Sequence, residues 1–232
     1  DVVVIPYGGG SNIAGCLEAK QSDGRMVVSL DLKRMDRVLD IDEQSLTARI
    51  QAGALGPIME EQLNARGFTL GHFPDSFLYS TVGGWVATRS AGMQSDKYGK
   101  IEDMVIALRM VTPSGTIVTR VVPKASDGID VNQLCIGSEG ILGVITEVTL
   151  QVHRQPERRA LYGYLFPDFE SGVKAMEACV RRECMPMMVR FNDPAKTQLS
   201  IAFRSKSTGF KSALSKAIKW YLANVKGFAL EN

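Results

Sequence analysis

Residues 6–12 read Pro-Tyr-Gly-Gly-Gly-Ser-Asn and follow directly on an apolar run, residues 2–5. The β-branched composition of this run predicts a short strand that ends at the three glycines. Glycines allow backbone N–H groups to converge on an anion, and Ser11 and Asn12 would add side-chain donors. The stretch matches neither G-x-G-x-x-G nor the Walker pattern. Taken alone, such a loop is more often an ordinary turn, so a phosphate site needs support from the rest of the sequence.

A second segment rich in small residues spans residues 72–99. It contains Pro74-Asp75-Ser76 and then Ser80-Thr81-Val82-Gly83-Gly84-Trp85. A long stretch with little regular pattern is typical of a functional or a disordered segment, and its aromatic residues favour the functional one. We expect a helix to begin at Gly83-Gly84 and to direct its N-terminus at a phosphate or a flavin edge.

Two side chains of this segment each have two interpretations. Arg89 is either a bidentate partner of a phosphate or a surface residue of the predicted helix. His72 is either a flavin contact or a hydrogen-bonded structural histidine, and the structural role is favoured.

A third glycine-punctuated loop, Gly137-Ser138-Glu139-Gly140-Ile141-Leu142-Gly143, precedes a predicted strand at residues 144–152. Glycines at such a place allow the backbone to approach a flat ligand closely. One loop of this kind is a weak signal. Because strands separate the three loops, a single large dinucleotide could contact all of them.

The remaining pattern predicts an α+β protein with a domain boundary near residues 154–159, where charged residues accumulate. Before the boundary we expect further strands at residues 27–32 and 40–50, a hairpin over residues 105–122, and helices at residues 57–66 and 131–136. After it, we expect a second α+β domain with strands at residues 161–166 and 187–191 and helices at residues 169–182 and 212–225, with Asp168 as an N-cap.

Composition excludes several classes of function. The net charge of +2 with 22% charged residues gives no global basic field, so no nucleic-acid partner is expected. No apolar run reaches the ~18 residues that span a bilayer. The four cysteines form no C-x-x-C pair and only two histidines are present, so no metal site is predicted.

Together the three loops resemble the FAD-binding domain of the vanillyl-alcohol-oxidase (PCMH-type) superfamily. Within it, Gly71-His72-Phe73-Pro74-Asp75-Ser76 and Tyr98-Gly99-Lys100-Ile101-Glu102-Asp103 are most similar to the alkyldihydroxyacetonephosphate synthase (alkylglycerone-phosphate synthase) family. The resemblance implies a PCMH-type domain of two α+β subdomains that clasp FAD, over residues 1–155. Residues 156–232 would begin an α+β cap domain over the flavin.

The same resemblance implies the residues that contact FAD. In the first and second segments they are Pro6, Tyr7, Gly8, Gly9, Gly10, Ser11, Asn12, Ile13, Ala14, His72, Pro74, Asp75, Ser76, Ser80, Thr81, Gly83, Gly84, Thr88, Arg89, Ser90 and Ala91. In the third they are Glu139, Gly140, Leu142, Gly143, Val144 and Ile145. Lys124 stands where the family uses an arginine, and it is expected, like Arg190, to contact substrate or flavin; Arg190 is equally interpreted as an edge residue. The catalytic residues are expected beyond Asn232.

The implied reaction belongs to ether-lipid synthesis: the acyl chain of acyl-dihydroxyacetone phosphate is exchanged for a fatty alcohol without net redox. The alternative is an FAD-linked 2-hydroxyacid dehydrogenase or oxidase acting on D-lactate or glycolate, and a third is a non-catalytic flavin-binding module. We expect a fragment of a longer enzyme, truncated at both ends and without turnover by itself. The whole enzyme is expected to be a homodimer with peripheral membrane association, peroxisomal in a eukaryote and cytoplasmic or membrane-associated in a bacterium.

Overall fold

The computed structural model describes residues 2–19, 24–202 and 220–221. The chain divides into two compact units, Asp1–Arg159 and Ala160–Asn232, which are described separately. The predicted boundary between residues 155 and 156, as a statement about the domains of the whole protein, stays a prediction.

The described residues of the first unit form three sheets. Its strands are β1 (Val2–Tyr7), β2 (Met26–Asp31), β3 (Val38–Asp42), β4 (Thr47–Gln51), β5 (Phe68–Thr69), β6 (Val105–Thr112), β7 (Gly115–Val118), β8 (Val144–Gln151) and β9 (His153–Arg154). β1 and β2 pair in parallel, whereas the five-stranded sheet, in the order β3-β4-β8-β6-β7, is antiparallel throughout. β5 and β9 form a short antiparallel pair.

The helices of the first unit lie in the connections between these strands. They are α1 (Gly56–Asn64), α2 (Val82–Thr88), α3 (Ser95–Tyr98), α4 (Ile101–Met104) and α5 (Val131–Cys135). Pro57 occupies the first turn of α1, where its missing N–H group leaves no helical hydrogen bond unmade.

The core of the first unit lies on one face of the five-stranded sheet. Ile50 of β4 and Val148 of β8 are fully buried there, together with Met59 of α1 and Val86 of α2. Each such side chain contributes about 1.5–3 kcal/mol by leaving water. The packing of α2 on this sheet fixes the position of residues 74–81, which precede the helix.

The second unit contains α6 (Phe169–Arg181) and α7 (Pro194–Ala202). Asp168 caps α6 as predicted: its carboxylate accepts a hydrogen bond from the Ser171 backbone N–H at 2.7 Å, which lowers the pKa of Asp168. Gly172 of α6 allows the ring of Phe191 to pack closely, because a Cβ atom there would overlap it.

Most predicted elements of the first unit are confirmed, and the structure adds the short elements β3, β5, β9, α3 and α4. Residues 40–50, predicted as a single strand, belong to the β3–β4 hairpin, whose turn holds Leu46 at a φ of 54°. The strand predicted over residues 116–122 is shorter and ends at Val118.

The strands predicted at residues 161–166 and 187–191 are wrong. Residues 160–202 contain no strand, and Leu161 is 89% exposed. A strand needs a partner with which to form its hydrogen-bond ladder, and the described residues of this unit provide none. Of the helix predicted over residues 212–225, all but Trp220 and Tyr221 lies outside the described residues.

Candidate FAD-binding site

One cavity of about 390 Å³ lies where three loops of the first unit meet, and its volume is typical of ligand pockets. We name these the first loop (residues 8–14), the second loop (residues 74–81) and the third loop (residues 137–143). Nineteen of the predicted FAD contacts line the cavity: Pro6, Gly8, Gly9, Gly10, Ser11, Asn12, Ile13, Ala14, Ser76, Ser80, Thr81, Gly83, Gly84, Thr88, Ser90, Glu139, Gly140, Gly143 and Ile145.

The first and second loops touch through glycines. A Cβ atom added at Gly9 would overlap the backbone carbonyl oxygen of Tyr79, and one added at Gly8 would overlap Oγ1 of Thr81. Glycine is therefore required at both positions by the close approach of the two loops. Two walls of the cavity are held against each other in this way.

The third loop is tied to α2 and to Cys16, two residues after the end of the first loop. The backbone N–H of Glu139 donates to the carbonyl oxygen of Ala87 at 3.0 Å, and that of Gly137 donates to Val86 at 3.0 Å. Glu139 also accepts a hydrogen bond from the thiol of Cys16 at 2.6 Å, just beyond the first loop. This bond raises the pKa of the exposed Cys16 thiol, so the thiol stays protonated at neutral pH.

The first loop is rich in hydrogen-bond donors. Within the described part of the chain, the backbone N–H groups of residues 9–14 have no hydrogen-bond acceptor. The side-chain oxygen of Asn12 accepts from the Cys16 N–H at 3.0 Å, which leaves the amide NH₂ group of Asn12 as a further donor. A loop of unsatisfied donors fits an anionic diphosphate. The predicted contact of this loop with the diphosphate itself stays a prediction.

The N–H groups at the N-terminus of α2 are already hydrogen-bonded. The helix begins at Val82, with Thr81 as its N-cap. Its first three N–H groups already donate to Ala54 O at 3.0 Å, Ala52 O at 2.8 Å and Thr81 Oγ1 at 3.3 Å. Two of these N–H groups are bonded to backbone carbonyl oxygens and the third to a side-chain hydroxyl, so they are not free for a ligand. The predicted contact of this helix end with a phosphate or a flavin edge stays a prediction.

His72 does not line the cavity but contacts two residues that do, Ser90 and Trp85. Its side chain is buried, its Nε2 atom lies 3.2 Å from the Ser90 hydroxyl, and its ring lies 5.0 Å from that of Trp85. Burial lowers the pKa of His72 to about 4, so the imidazole is neutral at physiological pH. The geometry supports the favoured structural role rather than direct contact with a ligand.

Arg89 has a structural role in the structure, and the phosphate contact predicted for it stays a prediction. It ends α2 in the left-handed conformation, at a φ of 51°. Its guanidinium donates to the side-chain and backbone oxygens of Gln133 at 3.3 and 3.1 Å. The stem packs on Gly137, where an added Cβ would lie 2.7 Å from Arg89 Nε. Arg89 therefore joins α2 to α5 and the third loop.

The other predicted FAD contacts that do not line the cavity are Tyr7, Pro74, Asp75, Ala91, Leu142 and Val144. Lys124 is exposed and also lies outside the cavity lining, whereas Arg190 belongs to the second unit. The predicted substrate or flavin contacts of these two residues stay predictions.

Sequence reasoning missed five residues of the lining: Cys16, Leu17, Leu32, Trp85 and Ala87. Leu32 could have been found, because β1 and β2 are parallel and their carboxyl ends therefore lie side by side. Trp85 was part of the quoted motif but was not assigned to the site.

The described part of the chain has neither a metal site nor a membrane-spanning helix. No group of three or more His, Cys, Asp and Glu side chains there could hold a metal ion. No helix within the same residues has both the length and the apolar character needed to cross a membrane.

Comparison with known proteins agrees with the geometry. A family model described as "FAD binding domain" matches residues 1–120, and one described as "FAD linked oxidases, C-terminal domain" matches residues 155–227. The alkyldihydroxyacetonephosphate synthase of Dictyostelium discoideum is 45% identical over 232 residues, which make up 100% of this chain and 38% of that protein.

A glycolate oxidase subunit, GlcD of Bacillus subtilis, is 30% identical over 194 residues, which cover 83% of this chain and 40% of that protein. A solved structure of alkyldihydroxyacetonephosphate synthase has a TM-score of 0.88 and 46% identity, with 100% of this chain and 41% of that one covered. The chain thus spans about two fifths of the length of these relatives.

These matches confirm the predicted PCMH-type α+β fold, the predicted similarity to the alkyldihydroxyacetonephosphate synthases and FAD as the cofactor. Because the first family model covers 120 of the 232 residues, the chain belongs to the family of FAD-binding domains.

Proposed function

We propose that this chain holds FAD in an enzyme of ether-lipid synthesis, which exchanges the acyl chain of acyl-dihydroxyacetone phosphate for a fatty alcohol. The observation that carries the proposal is the 45% identity to a synthase of this name along the whole chain. The cavity supports the cofactor part, because its first loop supplies donors for a diphosphate. The chain corresponds to 38% of that relative, so turnover is proposed for the whole protein and not for these residues alone.

The proposed reaction is balanced without an external oxidant or reductant. The ester C–O bond to the fatty acid breaks, an ether C–O bond to the alcohol forms, and the proton of the alcohol accompanies the released acid. FAD, when bound, supplies the electrophilic ring on which such an exchange depends.

The residues of this chain would bind and orient the cofactor. The N–H groups of residues 9–14 would hold the diphosphate. Thr81, whose Oγ1 accepts from the Gly84 N–H, keeps its own hydroxyl proton free for a ligand acceptor. The contact of Gly9 with Tyr79 would keep the loops closed around the ligand and water excluded from it.

Two measurements on the full-length protein test the proposal. With acyl-dihydroxyacetone phosphate and a labelled fatty alcohol, we expect labelled ether lipid and one equivalent of free fatty acid, while the flavin stays oxidised. Release of fatty acid without incorporation of the label would reject the exchange.

A 2-hydroxyacid dehydrogenase or oxidase is the second candidate, favoured by the 30% identity to the glycolate oxidase subunit GlcD. Such an enzyme must reduce its flavin with substrate. Anaerobic mixing with D-lactate or glycolate separates the candidates, because bleaching of the yellow flavin absorbance is expected only for the second one. A purified protein that neither carries FAD nor is stabilised by it would exclude both.

A further inference from the structure

The hydroxyl group of Ser80 makes all the hydrogen bonds that a serine hydroxyl can make. Its Oγ accepts from the indole N–H of Trp85 at 2.6 Å and from the hydroxyl of Ser76 at 3.0 Å. It donates its own proton to the backbone carbonyl of Ser76 at 2.9 Å. A hydroxyl has one proton and two lone pairs, so Ser80 has no capacity left for a ligand.

The directions of these bonds follow from the chemistry of the groups. An indole N–H can only donate, and a carbonyl oxygen can only accept. Ser80 must therefore donate to the carbonyl oxygen of Ser76 and accept from Trp85. The remaining bond, from Ser76 to Ser80, must use the proton of Ser76.

Ser76 is consequently an acceptor toward the cavity that it lines. Its hydroxyl proton is committed to Ser80, while lone pairs of its oxygen remain available. Such a group suits a ligand O–H or N–H and does not suit a phosphate oxygen, which has no proton at neutral pH. This polarity is opposite to that of the first loop, which presents N–H donors.

The indole N–H of Trp85 is held in a fixed position, and the hydrogen bonds of Ser80 and Ser76 depend on it. The side chain of Trp85 is 2% exposed and contacts the rings of His72, 5.0 Å away, and Phe77, stacked at 6.2 Å. The indole N–H therefore has a single direction, and Ser80, itself 4% exposed, is held by it.

We propose that Trp85 is a positioning residue, which acts through Ser80 to present the Ser76 oxygen as an acceptor for a hydrogen-bond donor of FAD. The donor is either a ribityl hydroxyl or ring N–H of the riboflavin half, or a ribose hydroxyl or amino group of the adenosine half. The diphosphate contacts the first loop instead. The inference rests on the proposed binding of FAD.

The first test is the affinity of the apoprotein for FAD and for ADP, measured by fluorescence and calorimetric titration. Loss of one neutral hydrogen bond predicts that Ser76→Ala binds FAD about fivefold to tenfold more weakly. If ADP affinity is unchanged, the donor lies in the riboflavin half; if ADP affinity falls equally, it lies in the adenosine half. Ser114→Ala, in the β6–β7 turn, is the matched control and should bind both ligands normally.

The second test is whether Trp85 and Ser80 act through Ser76. Trp85→Phe and Ser80→Ala should each weaken FAD binding, and combining either with Ser76→Ala should add little to the loss from Ser76→Ala alone. The thermal midpoint of unfolding reports whether the smaller ring in Trp85→Phe disturbs folding. If it does, Ser80→Ala alone provides the test.

Wild-type affinity for FAD in Ser76→Ala, or losses that multiply in the double variants, would overturn the inference and leave the proposed function standing. Failure of the unmodified protein to bind FAD would overturn both.

Discussion

Gly9 lies directly against the backbone carbonyl of Tyr79: a Cβ atom at Gly9 would be 2.6 Å from that carbonyl carbon and 2.9 Å from Cα of Ser80. No side-chain rotation can relieve such an overlap, because both obstacles are backbone atoms. The first and second loops therefore keep their mutual position only while residue 9 has no side chain.

Gly9→Ala should consequently separate the two loops. Overpacking of this kind costs about 1–3 kcal/mol of the free energy of unfolding. We expect FAD affinity to fall by about tenfold to hundredfold, since the donors of the first loop lose their alignment. Urea unfolding and FAD titration measure the two effects. Gly163→Ala is the control, because nothing lies within 4 Å of a Cβ atom there; equal behaviour of the two variants would contradict the requirement for glycine.

Acid should weaken the fold through His72. Burial lowers the pKa of His72 to about 4, from 6.5 in the unfolded chain. The folded state therefore favours the neutral form of the imidazole over the protonated form. Stability from this group is complete above pH 6.5 and is lost as the pH falls toward 4, by up to about 3 kcal/mol.

The measurement is the free energy of unfolding by urea at pH 7.5 and 4.5. His72→Gln should reduce the difference between the two pH values, because the group that titrates is gone. His153→Gln is the comparison variant for the same pair of measurements, because burial and Lys97 also lower the pKa of His153. A pH dependence identical in wild type and His72→Gln would refute the assignment.

The three loops of the cavity could be predicted because their signals are local. The glycines at residues 8–10 and the third loop are visible as short runs, and each adjoins a segment with a clear strand pattern, β1 or β8. The acceptor that a backbone N–H group already contacts cannot be predicted in this way, because it can lie far away in the sequence. The N–H groups at the start of α2 are taken by Ala52 and Ala54, about 30 residues earlier in the chain, and no property of residues 82–84 reveals this.

The same reason separates the elements that were predicted from those that were not. α6 is specified within its own sequence, by an Asp168 cap and an amphipathic pattern, and it forms. The apolar and aromatic composition of residues 161–166 indicates only that the segment can pair. Whether it pairs depends on a partner strand, and the described residues of the second unit offer none.

Loss of Arg89 should affect stability before it affects binding. Arg89→Ala removes two hydrogen bonds to Gln133 and the packing on Gly137, so we expect a loss of about 1–3 kcal/mol in the free energy of unfolding. Arg89→Lys should recover part of it, since the charge returns without the planar fork. If Arg89→Ala unfolds like wild type but fails to bind FAD, the phosphate contact first predicted for Arg89 is correct and the structural role is not.

The reactivity of Cys16 offers a direct test of whether FAD occupies the cavity. Cys16 lines the cavity and is exposed, whereas Cys184, also exposed, belongs to the second unit and is not part of the lining. Saturating FAD should slow alkylation of Cys16 by iodoacetamide and leave the rate at Cys184 unchanged, as followed by peptide mass spectrometry. Glu139→Gln should accelerate alkylation of Cys16 without FAD, because the hydrogen bond to Glu139 raises the pKa of the thiol and only the thiolate reacts. Equal rates at Cys16 with and without bound FAD would show that the ligand lies elsewhere.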